Sequence, residues 1–487
     1  MDPASVALWV VGLLVVVALA GVVLALATDD RDPSIVIGWL LLILLVPVLG
    51  LVAYFFIGRN YRREGTRRRQ VHASRAGADA LMLSSVSTTG GAATVTSPVD
   101  TPVDTPVDTA AQRVERAARH EGGFPTLPAE TVRVYHAGED KFRDLLADLS
   151  AARRSILLMY LIWEQDRLTA EVTGILREKV QAGVEVRVLY DWLSSTPYKK
   201  DELKQLAAAG ATVVPCYKRL RLLNYRNHMK MAIIDGEVVY SGGMNMGQEY
   251  IDGGERFDVW RDTHFRMTGP VVAPYLSLFA TTWRLNGRDE DLSTCLARAA
   301  GEPGDGVPVQ VLHSSVATSF PAIRDVFLVA LGSARRRVWI QSPYFVPDEP
   351  LLTGMCAAAA GGTDVRLMMT GVPDKKVPFY AAHAYFRTLL DAGVTVHKYD
   401  AGFLHAKTVT VDDDLAVIGT CNWDVRSLIL HDEVVAIVYD EGVVRTCAEQ
   451  FERDVGVCST VTAEDLAALS SRERLRNSLC RLPSRLL

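Results

Sequence analysis

HMKMAIID at residues 228–235 returns later in the chain as HAKTVTVD at residues 405–412, and both stretches follow the pattern HxKx4D. Each copy continues at equal spacing to a glycine and an asparagine, Gly242 and Asn245 in the first and Gly419 and Asn422 in the second. One HxKx4D match alone is a weak signal, but two copies of HxKx4Dx6GxxN are not plausibly accidental. The paired motifs therefore predict a duplicated fold with a shared site.

The segments around the motifs repeat in the same order, which extends the duplication to the chain after about residue 132. Strand-like segments at 152–156, 183–189 and 209–214 match segments at 334–338, 362–367 and 392–396. Helices that alternate with short buried strands are typical of α/β layers with a mostly parallel or mixed sheet. We predict two similar α/β lobes, 132–300 and 301–487, each a mixed sheet flanked by helices, that form one active site.

The spacing within each motif places a histidine and a lysine on the same side of the chain. In an extended strand, residues i and i+2 point to the same face. His228 therefore shares a face with Lys230, and His405 shares a face with Lys407. The apolar or β-branched runs that follow would hold these side chains rigidly. The motif glycines would then turn the chain and bring the motif asparagines back as hydrogen-bond donors. A single histidine near a lysine is more often structural, but paired copies favour catalysis.

Two imidazoles, two ammonium groups and two amides would form a cationic cavity rich in hydrogen-bond donors. Such a cavity suits a phosphodiester, because fixed donors stabilise the charge that grows on the non-bridging oxygens in the transition state. One histidine would attack phosphorus, while the other would protonate the leaving alcohol and activate the incoming one. Metal binding is the alternative for a histidine-rich site, but lysines repel cations and no HxxxH or histidine–carboxylate cluster has ligand spacing. We predict no metal and no cofactor.

At these residues the chain resembles the phospholipase D superfamily and, within it, the bacterial cardiolipin synthases. The narrower likeness rests on two apolar N-terminal runs and on stretches at 227–228, 242–245, 260–264, 268–270 and 422–427. The resemblance implies that two phosphatidylglycerol molecules are joined, with loss of glycerol, through a phosphatidyl-histidine intermediate. It also implies a phospholipid and a membrane as partners.

The predicted site residues fall into two groups. The catalytic group comprises both motif triads, which are His228, Lys230, Asp235, His405, Lys407 and Asp412. The substrate-binding group comprises Asn245, Asn422 and Glu433. By analogy with the superfamily, His228 is the nucleophile and His405 the general acid and base. Glu433 matches an acidic position of the family that orients a histidine, although a surface salt bridge is the usual role of a glutamate on a strand.

The substrate is less narrowly defined than the chemistry. Other phosphatidyl transfers, such as phosphatidylserine synthesis, and hydrolysis to phosphatidic acid are alternatives. A nuclease is disfavoured, because the net charge of -5 gives no global reason for a nucleic-acid partner, and a membrane scaffold would not explain two intact motifs. Family members commonly place serine after the motif glycine, whereas Gly243 and Thr420 stand here, so the first half lacks a hydroxyl. The oligomeric state is open, since both motifs lie in one chain.

The first sixty residues predict a membrane anchor. Residues 6–27 and 35–57 are apolar runs of the length that a helix needs to cross a bilayer. A cleaved signal peptide is the alternative for the first run, although no lysine or arginine precedes it. Six arginines between positions 59 and 69 follow the second run, so the positive-inside rule places both lobes in the cytoplasm. We expect two transmembrane helices within 1–60, in a multi-pass protein of the inner, or plasma, membrane.

The segment between anchor and lobes has a different composition. Residues 61–131 predict a basic juxtamembrane segment and a disordered linker, because the chain is rich in Ser, Thr, Pro and Asp from residue 84 to about 112 and Pro-Val-Asp-Thr repeats within 98–109. The seven cysteines are odd in number and scattered, which indicates free thiols in a reducing compartment. At 219–226, arginines interleaved with leucines predict either an interfacial segment or a strand with one solvent face and one core face.

Overall fold

The computed structural model describes residues 33–54, 108–196, 201–218, 225–288, 305–315 and 321–482, with Gly58, Thr318 and scattered positions before Pro33. The N-terminal part contains α1 (Pro33–Leu45) and α2 (Pro47–Ala53), which divide at Val46 because Pro47 has no amide hydrogen to continue the helix. None of the helices in these ranges is both long enough and apolar enough to span a membrane. Most of the first predicted span, the arginine cluster, the linker as far as residue 107 and the stretch 219–224 lie outside the described residues.

The first lobe is built on a seven-stranded mixed sheet. In chain order, the elements from Ala110 onward are α3 (Ala110–His120), β1 (Leu127–Ala129), β2 (Thr131–Tyr135), α4 (Gly138–Ala151), β3 (Ser155–Tyr160), α5 (Arg167–Gln181), β4 (Glu185–Asp191), α6 (Asp201–Ala208), β5 (Thr212–Cys216), β6 (Met231–Ile234), β7 (Val238–Gly242), α7 (Glu249–Asp252), β8 (Trp260–Arg261), β9 (His264–Thr268) and α8 (Val272–Leu285). The sheet has the order β2-β9-β7-β6-β3-β4-β5. Strands β3, β4 and β5 run parallel, and the remaining pairs are antiparallel.

The second lobe repeats this plan on a nine-stranded sheet. Its elements are β10 (Val307–Ser314), α9 (Ala322–Ser333), β11 (Arg337–Gln341), β12 (Phe345–Val346), α10 (Glu349–Ala360), β13 (Asp364–Thr370), α11 (Lys376–His383), α12 (Phe386–Asp391), β14 (Thr395–Tyr399), β15 (Phe403–Leu404), β16 (Thr408–Val411), β17 (Leu415–Gly419), β18 (Trp423–Asp424), a π-helical turn (Arg426–Leu430), β19 (Glu433–Val438), α13 (Glu441–Val455), β20 (Cys458–Thr460), α14 (Ala463–Ala468) and α15 (Ser471–Arg481). The order is β1-β10-β19-β17-β16-β11-β13-β14-β20, and β11, β13 and β14 are the parallel strands.

The two sheets pack against each other through one shared hydrophobic core. Met231 and Phe265 of the first sheet belong to the same buried cluster as Ile418 and Ala436 of the second. Helices α4 and α5 cover the outer face of the first sheet, and α9 and α10 cover that of the second. The motif strands β6 and β16 are therefore interior strands of their sheets, and the prediction of two α/β lobes with mixed sheets is confirmed.

Regular secondary structure begins at an earlier position in the chain than the sequence predicts. Helix α3 begins with a capping box at Thr109 and buries Ala110, Val114 and Ala118, which share one helical face, in the core of the second lobe. Strand β1 pairs antiparallel with β10. The prediction of a linker that continues to residue 131 is therefore wrong for 110–129. The small apolar side chains of this segment, at helical spacing, pack on the second lobe, and local composition does not predict that contact.

The motif aspartates lie at the ends of β6 and β16 that are remote from the histidines. Asp235 has a φ of 55° and its carboxylate accepts hydrogen bonds from the amides of Arg153, Arg154 and Ser155, at 2.7 to 3.2 Å. Asp412 has a φ of 49° and accepts the equivalent amides of residues 335–337, at 2.8 to 2.9 Å. These contacts cap the starts of β3 and β11, and the structure does not bring the predicted catalytic aspartates to the histidines.

Replacement of Asp235 by alanine is expected to destabilise the first lobe while the surviving folded protein retains its activity. The amides at the start of β3 would lose a charged acceptor, which costs about 2 kcal/mol of unfolding free energy. The thermal unfolding midpoint in detergent measures this loss, with Glu237→Ala as the control, because Glu237 is an exposed neighbour that contacts only the Arg154 side chain among these groups. A loss of turnover with an unchanged midpoint would instead place Asp235 in the chemistry.

Candidate active site

His228 is positioned by the second lobe. The segment before β6 forms an isolated parallel bridge between Asn227 and Asp432, and the His228 amide donates to the Asp432 carbonyl at 2.9 Å. The next residue of the second lobe is Glu433, the first residue of β19. Its carboxylate lies 2.9 Å, through Oε2, from Nδ1 of His228, and both side chains are buried. A main-chain bridge between the lobes thus brings a glutamate to a histidine 205 positions away.

His405 is positioned by the first lobe in the same manner. Strand β15 pairs parallel with β8, and the His405 amide donates to the Arg261 carbonyl at 2.7 Å. Asp262 follows directly, and its Oδ2 lies 2.6 Å from Nδ1 of His405. Each lobe therefore supplies a histidine and receives its orienting carboxylate from the other lobe. The predicted role of Glu433 as a histidine partner is supported, and a matching partner, Asp262, was absent from the predicted site.

The carboxylates determine which nitrogen of each imidazole faces the site. A carboxylate only accepts, so Nδ1 of each ring carries the hydrogen and donates it to Glu433 or Asp262. The Nε2 atom is then left with its lone pair in a neutral ring. One such atom can attack phosphorus, and the other can take or give a proton.

The motif lysines lie beside the histidines and are almost fully buried. Lys230 Nζ donates to the His228 carbonyl at 2.6 Å, and Lys407 Nζ donates to the His405 carbonyl. Burial lowers the pKa of Lys230 to about 7 and that of Lys407 to about 8, although Glu433 and Asp262 favour the charged forms. Each ammonium group keeps hydrogens that are not used by its carbonyl partner, and these can meet an anionic ligand.

Both motif imidazoles are held neutral by their surroundings. Burial and the charges of Lys230 and Lys407 place the pKa of His228 well below its usual range. Burial and Lys407 lower the pKa of His405 to about 4, against the opposing effect of Asp262. Burial favours a neutral Asp262 carboxyl, but Lys407 and His405 outweigh it and lower the Asp262 pKa. A nucleophilic His228 has to be neutral, which agrees with these surroundings. A His405 that acts as an acid has to be protonated, which requires an additional negative charge in the site.

A cavity of about 540 Å³ opens at His228 and combines cationic with apolar walls. Its cationic side chains are Arg226, Lys375 and Arg426, and its apolar residues include Leu161, Val346, Val377, Pro378, Ala381 and Val425. Such a lining fits a ligand that carries both a phosphate and hydrocarbon. Asn422 also lines the cavity, and its buried Oδ1 has no hydrogen-bond partner in the part of the chain that the structure describes. Asn245 is used differently: it donates to the Tyr250 hydroxyl at 2.7 Å and accepts from the Ile162 amide.

His431 is a third histidine of the site and was not predicted. Its ring centroid lies 5.6 Å from that of His228, and it lines the cavity. Among the described residues, neither of its buried ring nitrogens has a hydrogen-bond partner, although Nδ1 lies 3.8 Å from Oε1 of Glu433. Within the described ranges, His228, His431 and Glu433 form the one group whose ligand atoms, all within 4.8 Å of one another, could hold a metal. The positive charges of Lys230 and Lys407 act on His228 and would repel a metal cation bound there. The only sequence signal for His431 was its position two residues before Glu433.

The two positions that follow the motif glycines differ for a geometric reason. The Thr420 hydroxyl donates to the Glu433 carboxylate. At the matching position, a Cβ on Gly243 would lie only 2.0 Å from Oδ1 of Asp262. The Asp262 carboxylate thus occupies the space that a side chain would need. In the first lobe, the Asp262 carboxylate therefore stands where a side-chain hydroxyl would otherwise lie.

Replacement of Gly243 by alanine is expected to displace Asp262 from His405 and to reduce turnover about 100-fold, since a shift of about 1 Å in an orienting group has effects of that size. The purified variant should retain its thermal midpoint within a few degrees. Gly174→Ala in α5 is the control, because a Cβ there meets no atom within 4 Å. Equal turnover in the two variants would show that Asp262 need not stay close to His405.

Comparison with known proteins agrees with this architecture. The model of the family described as "Cardiolipin synthase, PLD-like domain" matches residues 145–259 and 327–455, and a model described as "Phospholipase_D-nuclease N-terminal" matches 7–59. Cardiolipin synthase of Geobacillus kaustophilus (strain HTA426) is 33% identical over 479 residues, which is 96% of this chain and 91% of the relative. Cardiolipin synthase 2 of Bacillus cereus (strain ATCC 14579) is 32% identical over 475 residues, with 94% and 88% covered.

A solved structure shares the fold at lower identity. Phosphatidylserine synthase of Haemophilus influenzae Rd KW20 superposes with a TM-score of 0.59 and 15% identity, over 77% of this chain and 100% of the other. The two lobes, the paired motifs and these likenesses define an enzyme of the phospholipase D-like phosphatidyltransferase class. Within that class, the chain belongs to the cardiolipin synthase family.

Proposed function

We propose that the protein transfers a phosphatidyl group from one phosphatidylglycerol molecule to another, giving cardiolipin and glycerol. The observation that carries this proposal is the pair of histidines, each held by a carboxylate of the opposite lobe, beside a cavity with cationic and apolar walls. The cationic groups suit a lipid phosphate, and the apolar walls suit acyl chains. The relatives named cardiolipin synthase support the same assignment over nearly the whole chain.

The first half-reaction forms a phosphatidyl-histidine. His228 lines the cavity, so its Nε2 is the nucleophile that forms the P–N bond, while the bond from phosphorus to the glycerol oxygen breaks. His405 donates the proton that the departing glycerol oxygen requires. Lys230 and Lys407 stabilise the non-bridging oxygens, whose negative charge increases in the transition state.

The second half-reaction regenerates the enzyme. His405, now neutral, accepts the proton of a headgroup hydroxyl on the second phosphatidylglycerol, and that oxygen attacks phosphorus as the P–N bond breaks. Glu433 keeps the His228 ring in one orientation through both steps, and Asp262 does the same for His405. The negative charge of the bound phosphodiester offsets the nearby ammonium groups, so His405 gains its proton when the substrate binds.

The other predicted site residues receive different roles. The unpartnered Asn422 Oδ1 is available to a substrate hydroxyl. Asn245 holds the loop around Tyr250 in place. Asp235 and Asp412 fix the starts of strands and do not take part in the chemistry. No step in this scheme uses a metal or a cofactor.

The N-terminal part is proposed to anchor the lobes, with two transmembrane helices within residues 1–60 and both lobes in the cytoplasm. The match of 7–59 to an N-terminal family model supports a dedicated segment. Apolar side chains of α1 and α2 are also directed outward: Leu44, Leu45 and Val48 are 75%, 76% and 72% exposed. A reporter fused after Leu487 should be active only in a cytoplasmic format.

The decisive experiment incubates the purified full chain, in detergent and a metal chelator, with headgroup-labelled phosphatidylglycerol and identifies the lipids by mass. Cardiolipin and free labelled glycerol are the expected products, in equal amounts. Phosphatidic acid as the sole lipid product would mean that water is the acceptor, and phosphatidylserine formed on addition of serine would identify a different transferase. Loss of activity restored stoichiometrically by one metal would overturn the metal-free scheme.

A further inference from the structure

The last described helix, α15, carries an exposed apolar stripe. Leu475, Leu479 and Leu482 follow one another at steps of four and three residues, so they lie on one side of the helix. They are 60%, 54% and 66% exposed. The helix itself is well formed, because Ser470 and Glu473 make a capping box at its start. These leucines are therefore held outward on a regular helix.

Basic side chains border this stripe on both sides. The helix contains four arginines, which are Arg472, Arg474, Arg476 and Arg481, against the single acid Glu473. At 100° per residue, Arg472 and Arg476 fall on one flank of the leucines, and Arg474 and Arg481 fall on the other. Three of these arginines also make contacts within the protein: Arg474 donates to main-chain carbonyls at the end of α14, and Arg476 and Arg481 lie over tyrosine rings, so Arg472 is the flank residue most open to lipid phosphates. An apolar stripe between two cationic flanks is the pattern of a helix that lies in the interface of an anionic membrane.

The opposite side of α15 joins the helix to the active-site cavity. Asn477 is buried, and the Arg476 guanidinium stacks 3.7 Å from the ring centroid of Tyr380 in α11. Cys480 lines the cavity together with Val377, which is itself 52% exposed. The stripe and the entrance of the cavity are thus parts of one continuous surface. A lipid that enters past Val377 would pass the end of α15.

A second copy of the chain is a poorer occupant of this stripe. Two leucines on an eleven-residue helix and a third at its C-cap present far less area than the roughly 1,600 Å² buried in a standard protein interface. A symmetric contact between two such helices would also bring arginine flanks against arginine flanks. Anionic lipid headgroups, in contrast, complement the flanks while their acyl chains accept the leucines.

We propose that α15 lies in the membrane interface, with its leucines among the acyl chains and its arginines at the level of the lipid phosphates. The helix thereby sets the entrance of the cavity at the bilayer surface, so that phospholipid substrates enter without crossing water. This inference rests on the proposed function. It is separate from the proposed N-terminal anchor.

The test compares the full chain with the variant Leu475→Ser, Leu479→Ser, Leu482→Ser on two forms of substrate. In vesicles of phosphatidylcholine with phosphatidylglycerol, the variant should make cardiolipin about tenfold more slowly, whereas on monomeric dihexanoyl phosphatidylglycerol it should stay within about twofold of the parent. Val457→Ser is the matched control, since Val457 is 47% exposed and lies outside α15. Equal vesicle rates for the variant and its parent would overturn the proposal. A parent inactive on both substrates would instead refute the proposed function.

A second measurement locates the helix directly. Leu479→Trp adds fluorescence to that of the eight native tryptophans, and the added signal should be quenched by lipids brominated in their acyl chains. Quenching by water-soluble acrylamide alone would place the stripe in solvent and contradict the proposal. A parent dimer that the triple substitution dissociates, with the vesicle rate unchanged, would assign the stripe to a second copy and also contradict it.

Discussion

Alanine in place of His228 is expected to abolish the covalent phosphatidyl-enzyme and to lower cardiolipin formation by roughly 10⁴-fold or more, because the variant lacks the imidazole that is proposed to form the P–N bond. The orientation of His228 by Glu433 and its place in the cavity wall give the reason for choosing it as nucleophile. Burial and the neighbouring lysines keep its pKa well below the usual range, so the attacking nitrogen is unprotonated near neutral pH. Rapid quenching with labelled lipid, followed by peptide mapping without acid, measures the adduct.

The matched variant is His405→Ala. It should form the adduct about 10²- to 10⁴-fold more slowly and then retain what forms, because no base is left to activate the second lipid. Two variants with opposite effects on the amount of adduct distinguish roles that overall activity cannot separate. Label on the peptide that carries His405 in the unmodified protein, and none on that of His228, would show that the two roles are reversed.

Asparagine in place of Asp262 is expected to reduce turnover about 10³-fold without loss of the fold. Burial and Lys407 lower the pKa of His405 to about 4, even though Asp262 acts to raise it. Removal of the carboxylate charge therefore makes the imidazolium harder to form, and the step that protonates the leaving glycerol slows. The protonated form is also lost at a lower pH, so the alkaline limb of the kcat profile should move to lower pH.

A substrate with a better leaving group tests this explanation. Phosphatidyl-p-nitrophenol releases a phenolate that needs little help from an acid, so the first half-reaction of Asp262→Asn on it should be nearly as fast as that of the parent. Glu433→Gln is the comparison, because it disturbs the nucleophile and should slow adduct formation from both substrates. An equal loss on both substrates for Asp262→Asn would mean that Asp262 does more than support the acid.

The sequence was most informative where the relevant contacts are local. The spacing of His228 and Lys230 predicted that they share a site, and the structure has Lys230 donating to the His228 carbonyl two residues away. The paired motifs also predicted two lobes, since equal spacings along equal strands imply equal folds. The alternation of helices with buried strands gave the mixed sheets correctly, because burial of both sheet faces appears directly as apolar runs such as those of β3 and β6.

The sequence was misleading where one motif residue has a structural role. Asp235 and Asp412 occur in both motif copies, so the pattern grouped them with the histidines. Their carboxylates instead receive the amides at the starts of β3 and β11, at the other ends of the motif strands. The presence of a residue in both motif copies indicates that its position matters. It does not show whether the residue acts in the chemistry or in the geometry of a strand. Asn245 is a similar case, since its amide is used for a contact with Tyr250.

The sequence by itself determined the duplicated α/β architecture, the two histidines and the phosphodiester chemistry, because these follow from residue types at short, fixed spacings. Only the tertiary structure decided which acid serves which histidine: Glu433 reaches His228 across 205 positions, and Asp262 reaches His405 across 143. The place of His431 in the site and the set of residues that line the cavity were also decided only by the tertiary structure. These contacts form where the two lobes meet. The periodicity of a segment does not show which remote residue will face that segment after both sheets have packed on their common core.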